Sequence, residues 1–210
     1  MAGINLNQDA FTRLDNGEDW LFYQVPRLVT HIDDAAIEAL RHCFKKYLME
    51  GNDVLDLMSS CVSHYPDELN FRSVTGLGMN RVELDANPRL NVRVIHDLNH
   101  DPILPFEDQS FDACTLSVSV QYLTRPIAVF TEIARVLRPG APCVVSYSNR
   151  CFPAKAVALW RELDDHGHGE IVRHYFAGGR GFDPSQVLDI SPAPGASDPL
   201  YVVIARRRDG

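Results

Sequence analysis

The sequence predicts a three-layer, doubly wound α/β domain with a mostly parallel sheet of about seven strands and an antiparallel last strand. Three observations point there. Short apolar runs rich in β-branched residues alternate with stretches of helical periodicity, as βαβ units do. The early runs are separated by connections long enough for right-handed crossovers rather than hairpins. The last two runs flank Ser191–Pro199, a loop of Pro, Gly and small polar residues suited to an antiparallel return.

The elements follow in order. Residues 1–50 are expected to form an amino-terminal cap and first helix packed on a core domain of residues 51–210, the whole being one structural domain. In the cap, the aromatic stretch Trp20–Val25 closes at Pro26. From Asp33, Ile37, Leu40, Phe44 and Leu48 recur at spacings of three and four, which gives one buried helical face ending at Gly51-Asn52. Asp53–Leu57 reads as the first strand. A small polar loop, Ser59–Ser63, and a short helix near Pro66–Phe71 come next. Ser73–Leu77 is a second strand, Asn80–Ala86 a helix stopped by Asn87-Pro88, Asn91–His96 a third strand and Phe111–Ser119 a fourth. Pro126 suits the first turn of a helix whose Ile127, Phe130, Ile133 and Leu137 line one side before Pro139-Gly140. Cys143–Tyr147 is a fifth strand. Ala154–Leu163 reads as helix, His166–Gly169 as a break and Glu170–Phe176 as a second short helix. Val187–Ile190 and Leu200–Ala205 are the final strands.

Charge narrows the function. With 20 Lys and Arg against 28 Asp and Glu among 210 residues, the net charge of −8 opposes phosphate-backbone binding, so no nucleic-acid partner is expected. Arg206-Arg207-Arg208 reads as a solvated end. No apolar run is long enough to span a bilayer, and Met1–Asn7 lacks the regions of a secretory signal. No membrane partner is expected, and the location is read as cytoplasmic. Five scattered cysteines without a C-x-x-C pair suit reduced thiols. His96 and His100, and the group His166, His168 and His174, match no metal-ligand spacing, so no metal is expected. In an open α/β sheet of this kind, ligand belongs at the carboxyl ends of strands one to four.

Three segments carry a family resemblance: Asp53-Val-Leu-Asp-Leu57, Leu104-Pro-Phe-Glu-Asp-Gln-Ser-Phe-Asp112 and Glu132-Ile-Ala-Arg-Val-Leu-Arg-Pro-Gly140. In this order they resemble the class I S-adenosylmethionine-dependent methyltransferases, in particular the small-molecule branch often labelled type 11, over roughly residues 50 to 150. The resemblance implies a Rossmann-like fold, S-adenosylmethionine as cofactor and a small-molecule acceptor. It puts methionine near the first loop and adenine after strand three. The cofactor-binding residues it implies are Asp56, Met58, Ser59, Ser60, Leu77, Gly78, Met79, Asp97, Leu98 and Ser117. Among these, Asp97 would meet the adenine amino group and Leu98 its ring.

Two departures are visible within that resemblance. The family's loop, acid-x-G-x-G-x-G, reads Asp56-Leu-Met58-Ser-Ser60-Cys-Val62, with every glycine replaced, so a different loop path is expected. The acid that usually ends strand two is replaced by Gly78. Methyl transfer requires alignment and sometimes a base but no obligatory side chain, and no catalytic residue is assigned. Substrate contacts are expected from Tyr23, Arg27 and His31 in the cap, His64 in the first loop and Tyr122 after strand four. The alternative reading, supported by the lost glycines, is a methyltransferase-like domain without catalysis, kept as a binding or assembly module. Oligomeric state stays open.

Overall fold

The computed structural model describes residues 8–209. Its strands are β1 (Asp53–Leu57), β2 (Ser73–Gly78), β3 (Val92–Ile95), β4 (Ala113–Ser117), β5 (Pro142–Tyr147), β6 (Gln186–Asp189) and β7 (Tyr201–Arg206). They form one sheet in the order β3-β2-β1-β4-β5-β7-β6. The first five pair in parallel, and β7 runs antiparallel between β5 and β6. The fold class expected from sequence is therefore the one observed. The order reverses between β1 and β4, which opens a crevice at their carboxyl ends.

The helices are α1 (Asp19–Tyr23), α2 (Asp34–Tyr47), α3 (Arg81–Ala86), α4 (Pro126–Val136), α5 (Ala158–Glu162) and α6 (Asp165–Gly178). Along β1 the pleat sends Val54 to one face, with Leu40 and Phe44 of α2, and Leu55 and Leu57 to the other, with Phe130 and Ile133 of α4 and Tyr175 of α6. Burial on both faces explains the near-continuous apolar strands. Asp33 caps α2 by accepting the Ala36 N–H at 2.8 Å, and Asn80 caps α3 through Val82 and Glu83.

Four local expectations are corrected. No helix forms at Pro66–Phe71; the Arg89 guanidinium takes the Leu69 carbonyl and Gly51 N–H takes that of Asn70, while Tyr65 packs on Phe44 and Phe71. Tertiary partners thus replace helical ones, and the β1–β2 crossover is irregular throughout. The helix expected from Ala154 is confined to Ala158–Glu162, because Val157 N–H bonds Gln121 O and Ala158 N–H bonds Thr12 O. The expected break at His166–Gly169 is continuous helix: Asp164 caps it at Gly167, and a Cβ on Gly169 would lie 2.9 Å from the Tyr147 hydroxyl oxygen. Those glycines permit close packing rather than ending the helix. The fourth strand stops at Ser117, short of Ser119, because Val118 has a left-handed φ of 51°.

The segment before α2 lies against the loop after β5. Both carboxylate oxygens of buried Asp19 accept from Arg13 Nη1 at 2.7 Å, and Lys155, fully buried, reaches Asp19 and Asp15 at 3.0 Å each. Residues 1–7, including most of the cap's polar start and the region read for a secretion signal, lie outside the described residues. Among the described residues no helix is long and apolar enough to cross a membrane.

Candidate functional site

The crevice at the carboxyl ends of β1 to β4 is a cleft of about 420 Å³. Of the residues expected to hold cofactor, Met58, Ser59, Ser60, Leu77, Gly78, Met79, Asp97, Leu98 and Ser117 line it; Tyr23, Arg27, His31 and Tyr122 from the expected substrate set line it too. Parallel strands ending at one level, with the cap folded over them, bring these distant positions together.

Asp56, expected to hold cofactor, and His64, expected to contact substrate, do not line the cleft. Asp56 is buried beneath the loop after β1, where its Oδ2 accepts the Ser59 and Ser63 hydroxyls at 2.6 and 2.7 Å and its Oδ1 accepts Thr115 at 3.3 Å. Burial raises its carboxyl to about 6, against the lowering effect of those hydroxyls. It anchors the loop. His64 is buried with a left-handed φ of 57° and no partner for Nδ1; burial, then Arg41 and His31, lower it to about 4.

The loop path that replaces glycine is now visible. Met58 adopts φ 56°, and Ser59 N–H donates to Leu77 O at 2.8 Å, drawing the loop over the end of β2. Gly78 is required there: a Cβ would lie 2.3 Å from the Ser59 carbonyl oxygen. The Ser60 hydroxyl donates to Glu83 Oε2 at 2.6 Å, and Asn87 Nδ2 donates to Ser60 O and Ser63 Oγ. Hydroxyls and side-chain amides fasten a loop that has no helix behind it.

At the β3 end, Asp97 Oδ1 accepts the Asn99 and His100 N–H groups, so it shapes the turn as well as facing the cleft. At the β4 end, the hydroxyls of Ser117 and Ser119 are enclosed and have no protein partner, and Val118 between them is held in a strained conformation by Ser146.

The cap side is aromatic. Phe152, from the loop after β5, stacks on Tyr122 at 5.9 Å and meets Phe22 and His31 edge-on at 5.5 and 5.3 Å. The Tyr122 hydroxyl accepts Phe152 N–H at 2.9 Å, and burial pushes its phenol to about 12. Burial also raises Tyr23 and lowers His31, where Arg27 adds to the lowering and Glu83 opposes it.

The family resemblance implies that Ser117 to Ser119 face methionine and substrate, and both serines line the cleft; sequence reasoning missed Glu83, Arg150 and Phe152, which also line it. Phe152 follows β5, a strand outside the four whose ends were expected to bind ligand.

A family model described as a methyltransferase domain matches residues 60–145. Over 65 residues, 31% of this chain, the sequence is 35% identical to the biotin biosynthesis bifunctional protein BioHC of Teredinibacter turnerae, and over 60 residues, 29% of the chain, 38% identical to the demethylmenaquinone methyltransferase of Paenarthrobacter aurescens. These stretches span only 11% and 22% of those proteins. Among solved structures, the fold resembles the complex of the Haloferax volcanii Trm112 methyltransferase activator with its methyltransferase, with a TM-score of 0.64 at 17% identity over 84% of this chain and 91% of that one. It also resembles Haemonchus contortus phosphoethanolamine N-methyltransferase 2 in complex with S-adenosyl-L-methionine, with a TM-score of 0.58 at 13% identity over 82% of this chain and 52% of that one.

Proposed function

We propose that this chain, matched over residues 60–145 by a methyltransferase-domain model and similar in fold to solved methyltransferases, transfers a methyl group from S-adenosylmethionine to a small-molecule acceptor. The observation behind the reading is the cleft at the ends of β1 to β4, with the unpartnered hydroxyls of Ser117 and Ser119 in it.

The residues present fit the cofactor at its two ends. Asp97 has a second oxygen, Oδ2, beyond the one that caps its turn, and Leu98 offers an apolar face for an adenine. Ser117, Ser59 and Ser60 surround the other end, where short hydroxyl side chains suit a methionine carboxylate and amine. The middle differs. The place of a ribose-binding acid is taken by Gly78, and Glu83 is already engaged at both oxygens, by Ser60 and by Arg27 N–H. Ribose would meet the backbone at Gly78 and Met79.

When bound, the cofactor supplies an electrophilic methyl on a sulfonium. The chain's own part is alignment and water exclusion, which the aromatic wall of Phe22, Tyr122 and Phe152 provides. His31, edge-on to Phe152 at the cap side of the cleft, would be the base that takes an acceptor's proton. Tyr23, Arg27 and Tyr122 complete the acceptor side.

A second reading, a binding module without catalysis, draws support from the Ser59 carbonyl filling the space beside Gly78. Calorimetric titration with S-adenosylmethionine and its demethylated product, with thermal unfolding in parallel, separates the two. Ligand at 100 times its dissociation constant should add about 2.7 kcal/mol to stability. Absence of binding by both ligands at millimolar concentration would remove the methyltransferase reading.

A further inference from the structure

Arg27 stands in the cleft with its charge unanswered. Its guanidinium carbon lies 4.4 Å from the centre of the Phe22 ring, 5.1 Å from that of Phe152 and 5.9 Å from that of Tyr23. Nη2 donates to Phe22 O at 3.2 Å and Nη1 to Val25 O at 3.4 Å. Those bonds use two of five N–H donors, and stacking uses none, because it engages the face of the plane and not its edge. Among the described residues no carboxylate comes within ion-pair distance of this guanidinium. Arg150, the other arginine of the cleft, has Asp198 at 3.7 Å, and Arg13 has Asp19. Glu83 bonds the backbone N–H of Arg27, not its side chain.

A planar fork fixed on aromatic faces, with its edge open, is arranged for a planar oxyanion. Carboxylates match it with two parallel hydrogen bonds. The body that carries the carboxylate would lie against Phe152 and Tyr122, a continuous apolar wall running toward the β4 turn. There Ser119, 7% exposed and with no partner for its hydroxyl, supplies a second, independent sign of a ligand.

We propose that Arg27 is the receptor for a carboxylate on an apolar acceptor, the carboxylate held by the guanidinium edge and the aryl or alkyl body by Phe152 and Tyr122. The term acceptor rests on the methyl-transfer reading; the carboxylate site itself needs no cofactor. S-adenosylmethionine carries a carboxylate too, but the Arg27 cage is built from the cap and the loop after β5, not from the strand ends assigned to that molecule.

The test uses benzoate and its uncharged isostere benzamide, titrated into the cofactor-free protein and followed by heteronuclear NMR, with S-adenosylhomocysteine titrated separately. Benzoate should bind about 10-fold tighter than benzamide or better, as hydrogen bonds to a charged group imply. The preference should vanish in Arg27→Gln, fall partway in Arg27→Lys, which keeps charge without the fork, and persist in Arg150→Gln. S-adenosylhomocysteine affinity should stay within about 3-fold in Arg27→Gln. Equal binding of benzoate and benzamide, or a preference that survives Arg27→Gln, overturns the proposal. So does a loss of S-adenosylhomocysteine affinity matching the loss of benzoate affinity, which would give the receptor to the cofactor. Failure of the unmodified protein to bind S-adenosylhomocysteine removes the methyltransferase reading alone, and leaves the benzoate preference to be read on its own.

Discussion

Gly78 and Ser59 touch: a methyl group on Gly78 would lie 2.3 Å from the Ser59 carbonyl oxygen, and the loop is held there by Ser59 N–H on Leu77 O. The obstacle is backbone, so neither partner can move without breaking that bond. Gly78→Ala should cost about 1–3 kcal/mol, read as a lower urea midpoint, and should weaken S-adenosylhomocysteine binding by displacing the loop. An unchanged midpoint would mean that the loop does not press on β2.

Met58 has a left-handed backbone at φ 56°, a conformation that costs a side-chain-bearing residue about 1–2 kcal/mol. Met58→Gly relieves that backbone cost but loses the side chain packed against the core and adds a freer residue to the unfolded chain, so the net change in stability should be under about 1 kcal/mol, read as a small shift of the urea midpoint. The slope of the transition should not change.

Asp56 gives a pH signature. Burial raises its native carboxyl to about 6, above the ordinary 3.8, so between those values the folded state holds more proton than the unfolded. Its contribution to stability is complete below about 4 and is lost as pH rises through about 6. Asp15, Asp19 and Asp53, lowered in the fold, act in the opposite sense. The clean measurement is thus the difference between the unmodified protein and Asp56→Asn. The unmodified protein should lose ground to the variant in thermal unfolding as pH goes from 4.5 to 7.5; a constant gap would contradict the raised carboxyl.

Lys155 is fully buried between Asp15 and Asp19, with the Gly17 carbonyl at 3.0 Å. Lys155→Met leaves Asp19 with Arg13 and Asn99 and leaves Asp15 half exposed, but it removes a buried ammonium and its bond to the Gly17 carbonyl, and should cost about 1–3 kcal/mol. Because the lysine ties the cap to the loop after β5, amide hydrogen exchange in residues 12–19 should accelerate more than in β1 or β4.

Asp97→Asn preserves the Oδ1 that caps the turn at Asn99 and His100 while changing the chemistry of its other atom. If that atom meets an adenine amino group, S-adenosylhomocysteine should bind at least about 10-fold more weakly with unchanged thermal stability. Unchanged affinity would remove Asp97 from the site.

Much of the frame was legible because local signals and tertiary context agreed. The spacing of Ile37, Leu40 and Phe44, with Asp33 as cap, yields α2 in place, and the apolar runs yield the strands within a residue or two. The misreadings share a cause. At Pro66–Phe71, Arg89 and Gly51 supply hydrogen-bond partners from far along the chain, and at Gly167 and Gly169 the glycines serve contacts with Leu163 and Tyr147. A residue's type does not say which partner it will meet.

The sequence by itself determined the doubly wound order and the stretch of strand ends where the cleft lies, since periodicity and crossover length are properties of the chain. Only the tertiary structure decided that Asp56 and His64 turn away from the cleft, that Phe152 enters it, and that Arg27 keeps an open edge there. These depend on which side chains reach a given hydroxyl, ring or charge first, and such contacts join residues as far apart as Arg27 and Phe152, which only the closed fold makes neighbours.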